Sequence, residues 1–261
     1  MPKIKRPIKL TEKNYYTPKN NFLSFSKLKA FWHDKEYFRD LYVTHTKKQE
    51  KSTAMFVGQA VDVYIMKGRK AFEKEFVKVA RRNLKNPPVG ITELSEKDYD
   101  MAAAMGEKVR STPAFEDLKE FTVQPILQVP MPMGVFSGIC GIPDWLWVSG
   151  DTCEVVDLKT TSDIDSFEKS FIQYGYAGQL CHYTMLVEKI YGASVFTYKI
   201  LAIEKDTEGI HRCKTFFIEK HIVERERERI LKAWEDIAKE TDFTNPPVEW
   251  HTAWKIGGLW L

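Results

Sequence analysis

The sequence predicts a mixed α/β (α+β) protein in which a central mixed β-sheet is flanked by helices. Two observations lead to this prediction. Residues 121–159 are rich in Val, Ile, Phe and Trp and are interrupted by prolines and by Ser149-Gly150-Asp151, which is typical of a strand meander. On both sides of this stretch the apolar residues recur at helical spacing, and further strand patterns follow it. Helices followed by a sheet, then by helix and strands, indicate one mixed core.

The N-terminal elements follow from composition and capping signals. Residues 1–20 are rich in Lys, Pro and Asn, which predicts a flexible basic arm, and residues 21–261 are expected to form a single domain. A serine cap predicts that the first helix starts after Ser24 or Ser26. A second helix is expected over residues 53–67.

The remaining elements are bounded by glycine and proline. The expected order is a loop at 81–93, a helix at 94–111 that Pro113 ends, strands at 121–159, a helix at 174–191 before Gly192, a strand at 194–204, a turn at 205–209, a strand at 211–218 and a long amphipathic helix at 219–241.

Composition and charge narrow the class of protein. The hydrophobic fraction of 43% and the aromatic fraction of 13% suit a folded core. No apolar run approaches the roughly 20 residues that cross a bilayer, and the N-terminus lacks the features of a secretory signal, so we expect a cytoplasmic protein with no membrane partner. The net charge is only +3, but residues 1–51 hold 13 Lys and Arg against 5 Asp and Glu, a local excess of +8 that can meet phosphates. A solvated arm explains this excess equally well.

The four cysteines form no CxxC pair that would suggest zinc. We therefore expect buried free thiols at these positions.

The stretch from Gly141 to Lys159 places two carboxylates opposite each other. If Gly150-Asp151 is the turn of a hairpin, paired residue numbers sum to 301, and Asp144 faces Asp157. Opposed residues put their Cβ atoms about 4.5–5.5 Å apart, and like charges there destabilise a sheet. A divalent cation would neutralise them.

Strand alternation places Lys159 on the same face as Asp157, while Val156 and Leu158 point into a core. Carboxylate oxygens favour Mg²⁺, with Mn²⁺ as a substitute, and such an ion can activate a water and stabilise charge on a phosphate. The alternative is a surface hairpin with a solvated Asp–Lys cluster, and the spacing alone leaves both interpretations open.

A polar pair on the next helix favours the first interpretation. Gln179 and Tyr183 are four residues apart and therefore share one helix face. Such a pair can simply satisfy a buried backbone group, but after an Asp-x-Lys strand it is typical of a functional site.

These motifs resemble one nuclease family. Gly-Ile-Pro-Asp144, Val-Val-Asp157-Leu-Lys159-Thr-Thr and Tyr-Gly-Tyr-x-x-Gln179-x-x-x-Tyr183 are similar to the motifs of RecB-type PD-(D/E)xK nucleases. The form resembles the RecE-like branch, exodeoxyribonuclease VIII and its phage relatives, with Leu23–Phe31 similar to its N-terminal serine motif and 245–260 to its C-terminal tail. The resemblance covers about residues 23–260 and implies a restriction-endonuclease-like core.

The resemblance implies a role for each matching position. It assigns metal binding to Asp62, Asp144, Asp157 and the Leu158 carbonyl, catalysis to Asp144, Asp157, Lys159, Gln179 and Tyr183, and DNA contacts to Ser24, Ser26, Thr160, Thr161 and Tyr176. Two positions depart from the pattern. Asp62 stands where many relatives carry a metal-binding histidine, and either ligates the metal or caps or pairs with a neighbouring group. Gln124 stands in a strand where relatives often have an acidic residue, which weakens the inference of a second metal.

The function that this resemblance implies is a Mg²⁺-dependent 5′→3′ exonuclease that resects double-stranded DNA ends. It further implies phage or prophage recombination in a bacterial cytoplasm, a ring-shaped homo-oligomer and a single-strand annealing protein as partner. The alternatives are a catalytically impaired nuclease-fold DNA-binding protein and a PD-(D/E)xK endonuclease. The iron–sulfur nuclease type associated with CRISPR systems is disfavoured, because it predicts cysteines near both ends and none follows Cys213.

Overall fold

The structure is a computed structural model, and it describes residues 9–17, 20–49, 52–80, 90–206 and 208–239. The described residues confirm the mixed α/β class, with helices packed around a mixed sheet. In chain order the elements are α1 (Glu12–Tyr15), β1 (Phe22–Leu23), α2 (Phe25–His33), α3 (Lys35–Tyr42), α4 (Thr53–Lys67), α5 (Arg69–Glu75), β2 (Phe76–Val79), β3 (Thr92–Ser95), α6 (Glu96–Arg110), α7 (Pro113–Glu116), β4 (Thr122–Val123), β5 (Leu127–Met133), β6 (Phe136–Gly141), β7 (Trp145–Ser149), β8 (Thr152–Thr161), α8 (Phe167–Gln173), α9 (Tyr176–Tyr191), β9 (Val195–Glu204), β10 (Cys213–Ile218), α10 (Lys220–Glu224) and α11 (Arg227–Lys239).

The largest sheet has five strands in the order β10-β9-β8-β7-β4. Strands β8 and β9 run parallel, and the other neighbours are antiparallel, so the sheet is mixed. A second sheet has the order β1-β6-β5, and β2 pairs with β3 in a third. Strand β8 lies at the centre of the five-stranded sheet and carries the Asp-x-Lys sequence.

The hairpin of β7 and β8 has the predicted register. Ser149 pairs with Thr152 and Trp145 pairs with Val156, so paired numbers sum to 301. Strand β8 continues past the start of β7, because residues 157–161 pair with β9. The edge of β8 that faces β7 is therefore open from Asp157 onward.

Two hydrophobic cores lie on opposite faces of this sheet. Cys153 and Val155 of β8 belong to the core that contains α2, α9 and α11, whereas Val156 and Leu158 belong to the core that contains α4 and α6. This alternation is the consequence of a strand buried on both faces. Asp157 shares the face of Val155 and therefore points toward α9.

The N-terminal segment differs from the expected irregular arm. Within its described part, Glu12–Tyr15 form one helical turn and Leu10 is buried. The Leu10 amide donates to Gln128 Oε1 at 2.9 Å, and Asn20 Nδ2 donates to the Tyr15 carbonyl at 2.8 Å. These contacts attach residues 9–17 to the sheet. Residues 1–8, 18 and 19 lie outside the described residues, and the division into arm and domain stays a prediction.

Helix α4 has the predicted bounds, and α6 and α9 lie within one or two residues of theirs. The predicted helix over 219–241 is wrong as one element, because it divides at Arg225 into α10 and α11. The division brings Arg227 to Glu188 on α9, with nitrogen–oxygen distances of 2.8 and 2.5 Å, instead of leaving it on a solvated face. Pro113 ends α6 as expected, but it also starts α7.

Short elements were not expected from the sequence, namely α3, α5, α8 and the pair β2 and β3. None of the helices in the described ranges is long and apolar enough to cross a membrane. The loop predicted at 81–93 falls largely on residues 81–89, which lie outside the described residues.

Candidate active site

A cavity of about 390 Å³ opens where β8 extends past β7. Its walls come from the N-terminal segment, α2, α4, the loop before β7, β8 and α9. The lining residues are Tyr15, Tyr16, Ser24, Phe25, Ser26, Gly58, Gln59, Asp62, Gly141, Ile142, Asp144, Asp157, Leu158, Lys159, Thr160, Tyr176, Gln179 and Tyr183. Elements distant in sequence thus converge on the open edge of the central strand.

Asp144 occupies the place that a strand partner would take. It directly precedes β7, opposite Asp157 in the hairpin register. Its Oδ2 accepts the backbone N–H of Leu158 at 2.6 Å. A residue in a strand presents its N–H and its C=O to the same side, so the Leu158 carbonyl also faces the open edge. The register therefore places this carbonyl on the side of β8 that Asp144 occupies.

Asp157 and Lys159 form an ion pair on the α9 face of β8. Asp157 is 2% exposed, and the Lys159 ammonium lies 4.8 Å from the centroid of the Tyr176 ring. Burial lowers the pKa of Lys159, but the charges of Asp157 and Asp144 raise it more, so its pKa lies above the ordinary value. Lys159 is therefore a cation at neutral pH in the protein alone.

Asp62 reaches the cavity from α4, on the other face of the sheet. Its Oδ2 accepts a hydrogen bond from the side-chain Nε2 of Gln124 at 3.0 Å. The backbone N–H of Gln124 donates to the Asp144 carbonyl at 2.9 Å. Gln124 follows β4 with φ of 47°, a region that residues other than glycine seldom adopt. Gln124 thus connects the two elements that carry Asp62 and Asp144.

The carboxylates affect one another. Burial raises the pKa of Asp144 well above its usual value, and the charges of Asp157 and Asp62 raise it further. Burial raises the pKa of Asp62 to about 6, with Asp157 adding to the shift and the Gln124 bond opposing it. Of the cavity's lining residues, three are acidic and one, Lys159, is basic. The cavity therefore carries an excess of negative charge when its carboxylates are ionised.

The donor set fits a hard divalent cation in charge and in type. Three carboxylates and a strand carbonyl supply the oxygens that Mg²⁺ prefers, and the cation would balance the excess charge. In the described ranges, however, no group of three or more His, Cys, Asp and Glu side chains is arranged to hold a metal ion. Each carboxylate instead has a protein partner: Gln124 for Asp62, Leu158 for Asp144 and Lys159 for Asp157.

The wall formed by α9 fixes the loop that carries Asp144. Gln179 Nε2 donates to the Tyr183 hydroxyl at 2.8 Å, and this hydroxyl donates to the Ile142 carbonyl at 2.9 Å. Tyr183 also packs on Gly141, where a Cβ would come within 2.9 Å of its ring. The predicted helical pair is therefore in the cavity, and it positions the backbone just before Asp144.

Two helices begin at the cavity without a side-chain cap. Ser24 precedes α2, but its hydroxyl lies 2.9 Å from that of Ser26 and does not cap the helix. Gly175 precedes α9 and has no side chain to cap with. Free amides at a helix start attract anions such as phosphate. Ser24, Ser26 and Tyr176, at these two helix starts, line the same cavity.

The structure brings the predicted site residues to one cavity except Thr161. Its side chain is buried, and its hydroxyl donates to the Asp163 carbonyl at 2.9 Å, so Thr161 fixes a turn instead of lining the cavity. Thr160 does line the cavity.

The sequence reasoning missed Tyr16, Gln59 and Lys29. Tyr16 belongs to the segment expected to be an arm. Gln59 lies one helical turn before Asp62, a spacing that would have indicated it. Lys29 Nζ donates to the Tyr174 carbonyl at 2.9 Å, and partial burial and the charge of Lys159 lower its pKa, which places it near the cavity.

Residues 24–248 match the family model described as a PDDEXK-like domain of unknown function (DUF3799). The fold is similar to that in the crystal structure of a putative exonuclease from Eubacterium rectale, with a TM-score of 0.65, 19% sequence identity and 89% of each chain covered. No curated protein matches the chain. The matched range includes every predicted site residue.

Proposed function

The chain belongs to the family of PDDEXK-like domains and has a restriction-endonuclease-like core, and on this premise we propose that it is a metal-dependent deoxyribonuclease. The observation that carries the proposal is the convergence of Asp62, Asp144, Asp157 and Lys159 at the open edge of β8. A surface hairpin with a solvated Asp–Lys cluster would leave Asp157 exposed, whereas this carboxylate is 2% exposed. Buried like charges cost free energy that a structural hairpin has no reason to bear.

The chemistry is hydrolysis of a phosphodiester bond, in which water displaces a sugar oxygen at phosphorus. Asp62, Asp144, Asp157 and the Leu158 carbonyl would hold Mg²⁺ or Mn²⁺, which, when bound, supplies charge stabilisation and a more acidic water. Lys159 is a cation in the protein alone, so it stabilises negative charge on the phosphate and orients the attacking water.

The other walls bind and position the substrate. The free amides at the start of α2 and α9, with Ser24, Ser26 and Thr160, provide donors to phosphate oxygens, which position DNA without reading its sequence. Gln179 and Tyr183 act through the backbone of Ile142 and hold Asp144 in place. They are positioning residues.

We propose further that the enzyme is a 5′→3′ exonuclease that resects double-stranded DNA ends. The resemblance to the RecE-like branch and the fold shared with the structure described as a putative exonuclease support this assignment. Phage or prophage recombination in a bacterial cytoplasm, a single-strand annealing partner and a ring-shaped homo-oligomer belong to the same proposal. Light scattering of the purified protein tests the oligomer.

The activity is tested with linear duplexes labelled at either end beside a closed circle, in Mg²⁺, Mn²⁺ or EDTA. The variants are Lys159→Ala and, as a matched control, Lys199→Ala, which removes a lysine–carboxylate pair with Glu154 in the same sheet but outside the cavity. We expect metal-dependent loss from the 5′ ends by the wild type and by Lys199→Ala. Loss of one positioned acid–base or charged group lowers the rate by roughly 10²–10⁴-fold, so Lys159→Ala should be nearly inactive.

The other outcomes identify the alternatives. Cutting of the closed circle would show an endonuclease. Binding of DNA without cleavage in either metal would contradict the proposed activity and favour a nuclease-fold binding protein, a reading that the departures at Asp62 and Gln124 keep open.

A further inference from the structure

Tyr16 is an exposed ring on a fixed segment at the mouth of the cavity. Its side chain is 81% exposed, and it lines the same cavity as Asp62 and Asp144. Single exposed aromatic residues are ordinary on protein surfaces. Tyr16 is different because the groups around it hold it beside the carboxylates while leaving its ring free.

The segment that carries the ring is packed and hydrogen-bonded to the rest of the protein. Tyr15 packs against Leu10, Phe22 and Cys140, and its ring meets that of Tyr16 edge to face at 4.9 Å between centroids. The Leu10 amide is bonded to Gln128, and Thr11 and Asn14 form a capping box at the start of α1. The segment therefore presents Tyr16 from a position fixed on the sheet.

A second ring, that of Tyr176, lines the same cavity. Tyr176 stacks on Phe167 at 6.1 Å with 25° between the ring planes and meets Phe171 edge to face. Its face lies below the Lys159 ammonium. The cavity thus brings aromatic rings together with a cation and two helix starts that lack a side-chain cap. Proteins hold unpaired nucleic acid strands through stacking and phosphate contacts together.

The size of the cavity favours an unpaired strand over a duplex. A volume of about 390 Å³ is in the range of cavities that take one small ligand. Inside a duplex the base faces are covered by their neighbours, and at a blunt end the terminal base is still paired to the other strand, whereas the end of an unpaired strand can bring one base to a ring while its own backbone enters the cavity.

We propose that Tyr16 is a stacking platform for a nucleobase of an unpaired DNA strand whose backbone enters the cavity. The inference rests on the proposed function in that the ligand is DNA, but it does not need cleavage. It adds a substrate class to the site: strand ends that are frayed or single-stranded bind here, and fully paired ends bind less well until they open.

The test is binding in EDTA, where no metal-dependent cleavage occurs. The probe is a short DNA strand with 2-aminopurine at its end, whose fluorescence is quenched by stacking, beside the same end in a blunt duplex. The variants are Tyr16→Phe and Tyr16→Leu. The matched control is Tyr191→Leu, because Tyr191 is also exposed but lies at the far end of α9, roughly 22 Å along the helix from Tyr176.

We expect quenching with the wild type, Tyr16→Phe and Tyr191→Leu, and tighter binding of the single strand than of the duplex. Tyr16→Leu should weaken binding of the strand on the order of tenfold, because loss of one stacked ring removes a base contact. Binding of an RNA strand of the same sequence should be weakened by Tyr16→Leu no more than binding of the DNA strand is.

Three results would overturn the inference: equal binding by Tyr16→Leu and the wild type, an equal loss in Tyr16→Phe, which would indicate a hydroxyl contact, and equal binding of the blunt duplex. These results are distinct from failure of the proposed function. A protein that binds the strand through Tyr16 but cleaves nothing would retain the platform and lose the nuclease assignment. Cleavage that does not depend on Tyr16 would retain the nuclease assignment and remove the platform.

Discussion

Asp62 is the residue whose role the sequence left most open. The resemblance gave it either a metal or a neighbouring group to bind, and in the protein alone it accepts from Gln124 Nε2. This bond does not decide between the two roles, because a ligand also needs a partner while no metal is bound. The adjacent charges do favour the ligand role, since Asp62 is close enough to Asp144 to raise the pKa of that carboxyl.

Asp62→Asn is expected to weaken Mg²⁺ binding by about tenfold or more, because an uncharged amide replaces a carboxylate in the set that holds the cation. Calorimetric titration of Mg²⁺ into the protein without DNA measures this directly. Asn can still accept the Gln124 bond, so unchanged Mg²⁺ affinity would assign Asp62 a purely structural role. Asp165→Asn is the control, because Asp165 pairs with Arg212 and Lys214 outside the cavity.

His182 gives stability a pH dependence that is separate from the cavity carboxylates. It is fully buried on α9, with one ring nitrogen 2.9 Å from the Cys140 carbonyl, and its Nδ1 has no hydrogen-bond partner among the described residues. Burial lowers the pKa of His182 to about 4, against an ordinary value of about 6.5. Between these values the unfolded chain binds more protons than the folded protein, so stability falls as pH falls through this window.

Urea unfolding should therefore show that the free energy of unfolding falls between about pH 7.5 and pH 5, and that it falls by about 2 kcal/mol more in the wild type than in His182→Leu. The variant loses the hydrogen bond to the Cys140 carbonyl and is therefore less stable than the wild type at neutral pH. The slope of its free energy of unfolding with pH lacks the contribution of the histidine. Equal slopes in the two proteins would mean that His182 has the same pKa in the folded protein as in the unfolded chain.

At the scale of elements, what the sequence could predict was set by local chemistry. The Gly150-Asp151 turn fixes the register of β7 and β8, and Ser52 and Gly68 cap α4 at its predicted ends. The contact of Asp62 with Gln124 could not be predicted, because it joins α4 to the end of β4 across long sequence separation. Tyr16 was not predicted because the composition of residues 1–20 suggests an arm, and only tertiary contacts by Leu10 and Tyr15 fix the segment that carries it. The division between α10 and α11 likewise depends on Glu188.

Helix α4 carries Asp62 to the cavity because it packs closely on α6. Gly106 of α6 lies against the ring of Tyr64, where a Cβ would come within 2.5 Å. A methyl group there must push Tyr64, two residues from Asp62 on the same helix. The close crossing of these two helices therefore sets the position of one of the three acidic groups.

Gly106→Ala should lower the free energy of unfolding by up to roughly 2 kcal/mol, because overpacking of about 1–3 kcal/mol outweighs a helix propensity gain of about 1 kcal/mol. Gly58→Ala in α4 is the matched control, since its Cβ would meet Thr160 Oγ1 only at 3.9 Å and the propensity gain should remain. Denaturant unfolding of both variants compares them. A stabilised Gly106→Ala would mean that Tyr64 moves aside freely.

For the whole molecule, the question is whether the two cores fold together. They share the five-stranded sheet, whose central strands alternate their side chains between them: Val155 and Ile200 face one core, and Val156 and Leu201 the other. A strand cannot lose the core on one face without exposing the apolar side chains of that face to water, even if the other face stays packed. The cavity lies at the open edge of β8, the central strand of this shared sheet. The positions of its carboxylates therefore depend on both cores.

We therefore expect Val155→Ala and Val156→Ala to shift the same unfolding transition, each by roughly 1–3 kcal/mol, as for other large-to-small changes at buried positions. Adjacent residues of one strand make a matched pair, because they have the same type, both are buried, and they differ in the core they enter. Calorimetry and far-ultraviolet circular dichroism should give coincident midpoints for each variant. Two resolved transitions, one moved by each substitution, would divide residues 21–261 into separate folding units and contradict the single-domain prediction. One transition moved by both would support it, because the sheet that positions Asp157 and Lys159 would then be stabilised from its two faces at once.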